Sequence, residues 1–265
     1  MLYKELQKIV ATIEFYDNKE GWRAFVDELM KRQLTTLWKA PSFTTNPEQD
    51  KALQWTKTAV GAGWYSRLIK PLPVVVDIMA EVIRERQGPA HTRAALAGAL
   101  AYLVQEDAII ADSVEGGYGL VDDAIVLYYT YYRYLQDLAG RVPEVEHTIF
   151  NYSQEMEAVI KLGLRIFPKN RLTDLKRVLS NIAMGFYHLE EVPTYILEQL
   201  IDQIAQQPEA NGINRLLSRL AYHLDVRFQP YSQSVFSDPI LAMLDAMEAE
   251  AGSSPGEMIE EGYYY

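Results

Sequence analysis

Apolar residues recur at steps of three and four along most of the chain, as in Leu6, Ile9, Val10 and Ile13 and again in Phe25, Val26 and Leu29. Runs that alternate strictly between apolar and polar are missing. A period near 3.6 is that of a helix burying one face, so the pattern predicts an all-α protein, an irregular multi-helix bundle of about ten helices with room for two helical subdomains. Breaks fall where Pro, Gly and Asn or Asp gather: Pro41 to Pro47, Pro71 to Pro73, Gly88-Pro89, Gly116 to Gly119, Gly140 to Pro143, Pro168, Pro193, Pro208 to Gly212 and Pro230.

These breaks divide the chain into an N-terminal helical region (1–87), a helix–loop–helix unit (88–140), a C-terminal helical array (141–250) and a short tail (251–265). The array is expected to hold helices from Glu144 to Ile166, Leu172 to Leu189, Val192 to Gln206 and Gly212 to Leu224. They are similar in size but share no residue signature at a fixed period.

Composition narrows the function classes. The chain has no Cys, which excludes disulfides, thiolate metal sites and Cys nucleophiles. It carries 25 Lys and Arg against 36 Asp and Glu, a net charge of -11 that repels phosphate backbones, so nucleic acid is not an expected partner. The apolar stretch from Ala94 to Val104 ends at Gln105-Glu106-Asp107, short of the roughly 18–20 residues needed to cross a bilayer. The first residues lack the uninterrupted apolar run of a signal peptide, so the expected location is the cytoplasm. The four histidines are scattered, and no HExxH, GxSxG, Walker or dinucleotide-binding pattern occurs, which leans the reading away from an enzyme.

Charge is most uneven in the helix–loop–helix unit. No Lys or Arg lies between Arg93 and Arg133, yet Glu106, Asp107, Asp112, Glu115, Asp122 and Asp123 do. The first helix offers Ala94, Gly98 and Ala101 as a small face for close helix approach, and the second opens with Asp122 and Asp123 after Gly116-Gly117-Tyr118-Gly119. The run Ala101-Tyr102-Leu103-Val104-Gln105-Glu106-Asp107-Ala108-Ile109-Ile110-Ala111-Asp112, followed by Gly119-Leu120-Val121-Asp122-Asp123-Ala124-Ile125-Val126-Leu127, resembles the bacterial YkvA-like family, a domain of unknown function, over about residues 90–135. That family's pattern is an apolar helix ending in Tyr-Leu, then Asp-Leu-Ile-Pro-Asp, a Gly-containing loop and Gly-x-x-Asp-Asp opening a second helix. Asp107, Asp112, Gly119, Asp122 and Asp123 match it. Ala111 stands in place of the proline, and Gln105-Glu106 replace a small residue and a proline. The resemblance implies a helical unit and no particular reaction.

Two readings of the aspartates compete. In one, Asp112 closes a turn while Asp122 and Asp123 cap the next helix, satisfied by backbone donors. In the other, Asp107, Asp112, Asp122 and Asp123 converge on an all-oxygen site for Mg²⁺ or Ca²⁺; otherwise no cofactor is expected. Tyr128, Tyr129, Tyr131, Tyr132 and Tyr134 crowd the second helix; Tyr128, Tyr132 and Leu135 share one stripe and Tyr131, Tyr134 and Leu138 another. Tyr128 and Tyr132 are either core or part of a partner-binding groove. Lys161, Arg165, Lys169 and Arg171 form a basic stretch that reads as a solvated or internally paired face. The tail ends in Tyr263-Tyr264-Tyr265 behind a Gly/Ser/Pro linker, a composition suited to docking on a protein partner. The expected function is a non-enzymatic scaffold or adaptor; the alternatives are a divalent-metal-dependent protein and one that associates with membrane surfaces. The oligomeric state is left open.

Overall fold

The structure, a computed structural model, describes residues 2–32, 59–105, 108–142, 146–208 and 238–253. Among these residues it is an all-α bundle with no strand. We number its helices α1 (Leu2–Tyr16), α2 (Lys19–Arg32), α3 (Leu72–Arg84), α4 (Ala90–Leu103), α5 (Val121–Arg141), α6 (Glu146–Ile166), α7 (Leu172–His188), α8 (Thr194–Gln206) and α9 (Pro239–Ser253). The expected helix at Gly212 to Leu224 lies outside the described residues.

The punctuation acts as its chemistry dictates. Asn18 ends α1 and starts α2: its Nδ2 donates to Phe15 O at 2.7 Å, and its Oδ1 accepts from Glu20 N and Gly21 N, each at 2.8 Å. Pro71 and Pro73 open α3, where a missing N–H costs nothing. A π-helical turn, Tyr65–Ile69, precedes it, and the Tyr128 hydroxyl donates to the Leu68 carbonyl inside that turn at 2.9 Å.

Helix α4 is buried on every face from Ala90 to Leu103; from Ala94 onward its sequence is apolar all round, while His91, Thr92 and Arg93 are buried polar residues of its first turn. Its alanines and Gly98 let α3, α5, α7 and α8 close around it. Helix α5 is buried without interruption from Val121 to Thr130 and pairs along its length with α6. The unit 88–140 is thus the centre of the bundle, enclosed by both flanking regions. Among the described residues one continuous hydrophobic core runs from Leu2 and Leu6 through Leu96, Ile125 and Leu179 to Leu244.

Helix α9 packs Ile240, Leu241 and Leu244 into the core and is pinned by Lys176 of α7, which pairs with Asp245 and Glu248, and by Asp238 at its start. Asp238, 4% exposed, caps α9 by accepting from Ile240 N (2.9 Å) and Leu241 N (3.1 Å) through Oδ1, while Oδ2 accepts from Tyr129 Oη (2.7 Å) and Arg133 Nη1 (3.2 Å). Asp238→Ala should cost about 2 kcal/mol, from a lost cap and the loss of the bonds from buried Tyr129 and half-buried Arg133. Urea denaturation would show the lowered midpoint; an unchanged one would mean that the apolar face of α9 and the Lys176 pairs hold it without Asp238.

Candidate functional site

The loop 108–120 between α4 and α5 faces two ways, and the residues with chemical potential lie on either side of it. On its inner side are the aspartates. Asp122 and Asp123 occupy the first turn of α5, whose N-cap residue, Leu120, makes no side-chain cap bond. Instead the Asp122 Oδ2 reaches across to the loop, accepting from Ile110 N at 3.2 Å and from Tyr102 Oη, on α4, at 3.0 Å. Ile109 N donates to the same tyrosine oxygen at 3.4 Å. Asp122 therefore ties the end of α4, the loop and the start of α5 into one knot.

Asp123 differs. Both Asp122 and Asp123 are 0% exposed, but no hydrogen-bond donor meets either oxygen of Asp123, nor Oδ1 of Asp122. Burial pushes the Asp122 carboxyl up to about 6, with Ile110 N and the Tyr102 hydroxyl pulling the other way. Asp123 is raised well above the usual carboxylate range, first by burial and then by the negative fields of Asp122 and Asp112. The Tyr102 phenol is driven upward by burial and by the same two carboxylates of α5. Asp112 and Asp122 both act on the Asp123 carboxyl, while Asp107 lies outside the described residues. Among the described residues no three His, Asp or Glu side chains stand in a metal-coordinating arrangement.

On the outer side of the loop lies a cleft of about 260 Å³, walled by Phe15, Tyr16 and Glu20 of the α1–α2 turn and by Ser113 and Gly116 of the loop. Its floor exists because two positions lack a side chain. A Cβ on Gly21 would fall 1.7 Å from the Tyr16 carbonyl oxygen, and one on Gly116 would fall 2.2 Å from Ala24 C and Phe25 N. Gly116 also has a φ of +74°, in the left-handed region. Phe15, at the rim, is 70% exposed, the highest value among the large apolar side chains of the described residues.

The remaining sites expected from sequence are placed as follows. Tyr128 and Tyr132 are 1% and 3% exposed, so they belong to the core and do not form a partner-binding groove; packing against α6 and the π turn covers their stripe. Tyr131 and Tyr134 stack on each other, ring centroids 5.7 Å apart, at the edge of that stripe. In the basic stretch Lys161 pairs with Glu157 at 2.5 Å and Arg171 with Asp174 at 3.3 Å, while Arg165 and Lys169 face solvent. Tyr263, Tyr264 and Tyr265 lie outside the described residues.

Several polar contacts were not foreseen. Arg93, 4% exposed, is bonded to Glu198 of α8. The end of α5 meets the start of α4 where Asp137 accepts from Thr92 Oγ1 at 3.1 Å and from Arg141 Nε at 3.1 Å; burial pushes its carboxyl up, but His91, Arg141 and Thr92 together hold it below the usual range. The Arg93–Glu198 and Thr92–Asp137 contacts join helices distant in the chain and leave no sequence signal, whereas Asp137 and Arg141 stand at i,i+4 within α5.

No protein-family model, curated protein or solved structure matches this chain. The YkvA-like resemblance rests on the residues that carry it.

Proposed function

We propose that the protein is a helical interaction scaffold that receives a segment of a partner protein in the cleft between the α1–α2 turn and the loop of the central unit. The observation that carries this reading is Phe15. A 70% exposed phenylalanine at the rim of a concave site is the kind of aromatic anchor that partner-binding surfaces concentrate. Glu20 is the charged side chain lining the cleft and the chain carries net charge -11, so the partner of matching chemistry is a segment with an apolar side chain flanked by Lys or Arg. This reading moves the docking surface away from Tyr128 and Tyr132. No described helix is long and apolar enough to cross a membrane.

The test is site-specific photocrosslinking in native extract. Phe15→p-benzoylphenylalanine should give a discrete adduct that Tyr195→p-benzoylphenylalanine, on the equally exposed start of α8 (67%), does not give. Glu20→Lys should abolish it. No adduct from position 15, or the same adduct from position 195, would refute a dedicated cleft.

A further inference from the structure

Basic side chains crowd one corner of the bundle, and one end of the sequence has none. From Lys161 to Arg177 stand Lys161, Arg165, Lys169, Arg171, Lys176 and Arg177 against a single acid, Asp174. From Phe228 to Tyr265 there is no Lys, Arg or His, while Asp238, Asp245, Glu248, Glu250, Glu257, Glu260 and Glu261 are acidic. The fold already brings part of the two together. Lys176 of α7 pairs with Asp245 at 2.5 Å and with Glu248 at 2.8 Å, and Glu248 also accepts from Thr173. Positions 176 and 173 of α7 thus face 245 and 248 of α9, so the two helices run antiparallel and α9 heads toward the turn Lys169–Arg171, which it touches.

At that turn positive charge remains in excess. Arg165 and Lys169 are exposed and pair with no carboxylate among the described residues, and Arg171 and Arg177 share one acid, Asp174, at 3.3 and 3.2 Å. The positive dipole end of α7 lies there too, and its N-cap residue, Arg171, makes no side-chain cap bond. We propose that residues 254–265, which lie outside the described residues, fold back from the end of α9 onto this corner and hold it through Glu257, Glu260 and Glu261. The pairing continues an interface that α9 begins with Asp245 and Glu248 on Lys176. Ser254, Pro255 and Gly256 are turn residues, placed to reverse the chain where α9 stops. Twelve residues extend to about 40 Å at most, ample for positions 165, 169 and 171 beside the turn that α9 touches. The rings of Tyr263, Tyr264 and Tyr265 suit the flat guanidinium faces of Arg165 and Arg171. Exposed ion pairs are individually weak, and the tether is what lets a cluster of them hold. Seated there, the segment is a built-in competitor for any acidic or phosphate-bearing partner of the corner.

The proposal is independent of the cleft and is tested on the full chain. Tyr264→p-benzoylphenylalanine, irradiated in dilute purified protein, should give an intramolecular adduct that mass spectrometry maps to residues 161–177. Arg165→Glu with Lys169→Glu should lower its yield several-fold, the helical circular dichroism staying unchanged because both side chains are exposed. Adding Glu257→Lys, Glu260→Lys and Glu261→Lys to that variant should restore the yield. Arg84→Glu, equally exposed on α3, should leave it unchanged. Salt at roughly 1 M, where screening acts beyond about 3 Å, should lower it as charge reversal does. No adduct, an adduct elsewhere, or one that forms only between two chains would overturn the proposal. So would an adduct that survives both charge reversal and salt, which would assign the contact to the tyrosines alone.

Discussion

Replacing Gly116 with valine should cost the fold roughly 4 kcal/mol, from left-handed backbone strain and from overlap with packed backbone. Gly116 sits at φ +74°, and its Cβ direction ends 2.2 Å from Ala24 C and Phe25 N. Neither atom is the far end of a flexible side chain, so relief requires α2 to move off the loop. That movement would disturb Phe25, which is fully buried against Tyr65 and Tyr118 with ring centroids 5.4 and 6.0 Å away. The loss therefore propagates from a surface loop into the core. Gly140→Ala is the matched control: it lies in α5 with nothing within 4 Å of its Cβ, and should be neutral or gain a few tenths of a kcal/mol. Urea denaturation of both variants checks the contrast. Equal midpoints would mean that α2 and the loop are not interlocked.

How much of this was legible in the chain depends on the range of each interaction. The helices were, since Leu6, Ile9, Val10 and Ile13 and the all-apolar run of α4 declare their period locally. The special status of Asp122 and Asp123 was also visible, as a stretch rich in acids and empty of bases. Their burial was not, because the period of α5 does not say that other helices cover all of its first three turns. Tyr102 stands 20 positions before Asp122, and the cleft joins residues near 15–24 to residues near 113–116. Contacts of that separation are made by tertiary packing and leave no spacing to read. Asp238 is the intermediate case. An Asp directly before Pro239 and an apolar run is an N-terminal helix signal, but its second pair of bonds, to Tyr129 and Arg133, belongs to the tertiary fold alone.

In EDTA the protein should become more stable as it is acidified from pH 7.5 toward 5, the reverse of the usual acid behaviour. The cause is Asp122, whose carboxyl rises from an ordinary 3.8 to about 6 on folding, with Asp123 raised in the same direction. Below about pH 4 folded and unfolded chains both carry the proton and the buried pair costs nothing. Between 4 and 6 the unfolded chain releases its proton first, so each step up in pH favours unfolding, and above 6 the penalty is complete. A shift of this size corresponds to roughly 3 kcal/mol for Asp122. Asp137 acts with the opposite sign: its carboxyl lies below the usual range, so its contribution persists through this window and fades only in stronger acid. The Asp122→Asn, Asp123→Asn double variant isolates the effect, since an amide oxygen still accepts from Tyr102 and Ile110 while the charge is gone. It should be more stable than the parent at pH 7.5 in EDTA, and the gap should narrow to about half by pH 5 and close near pH 4. Chemical denaturation at a series of pH values reads both curves, and parallel curves across that range would show that the two aspartates do not carry buried charge in the metal-free chain.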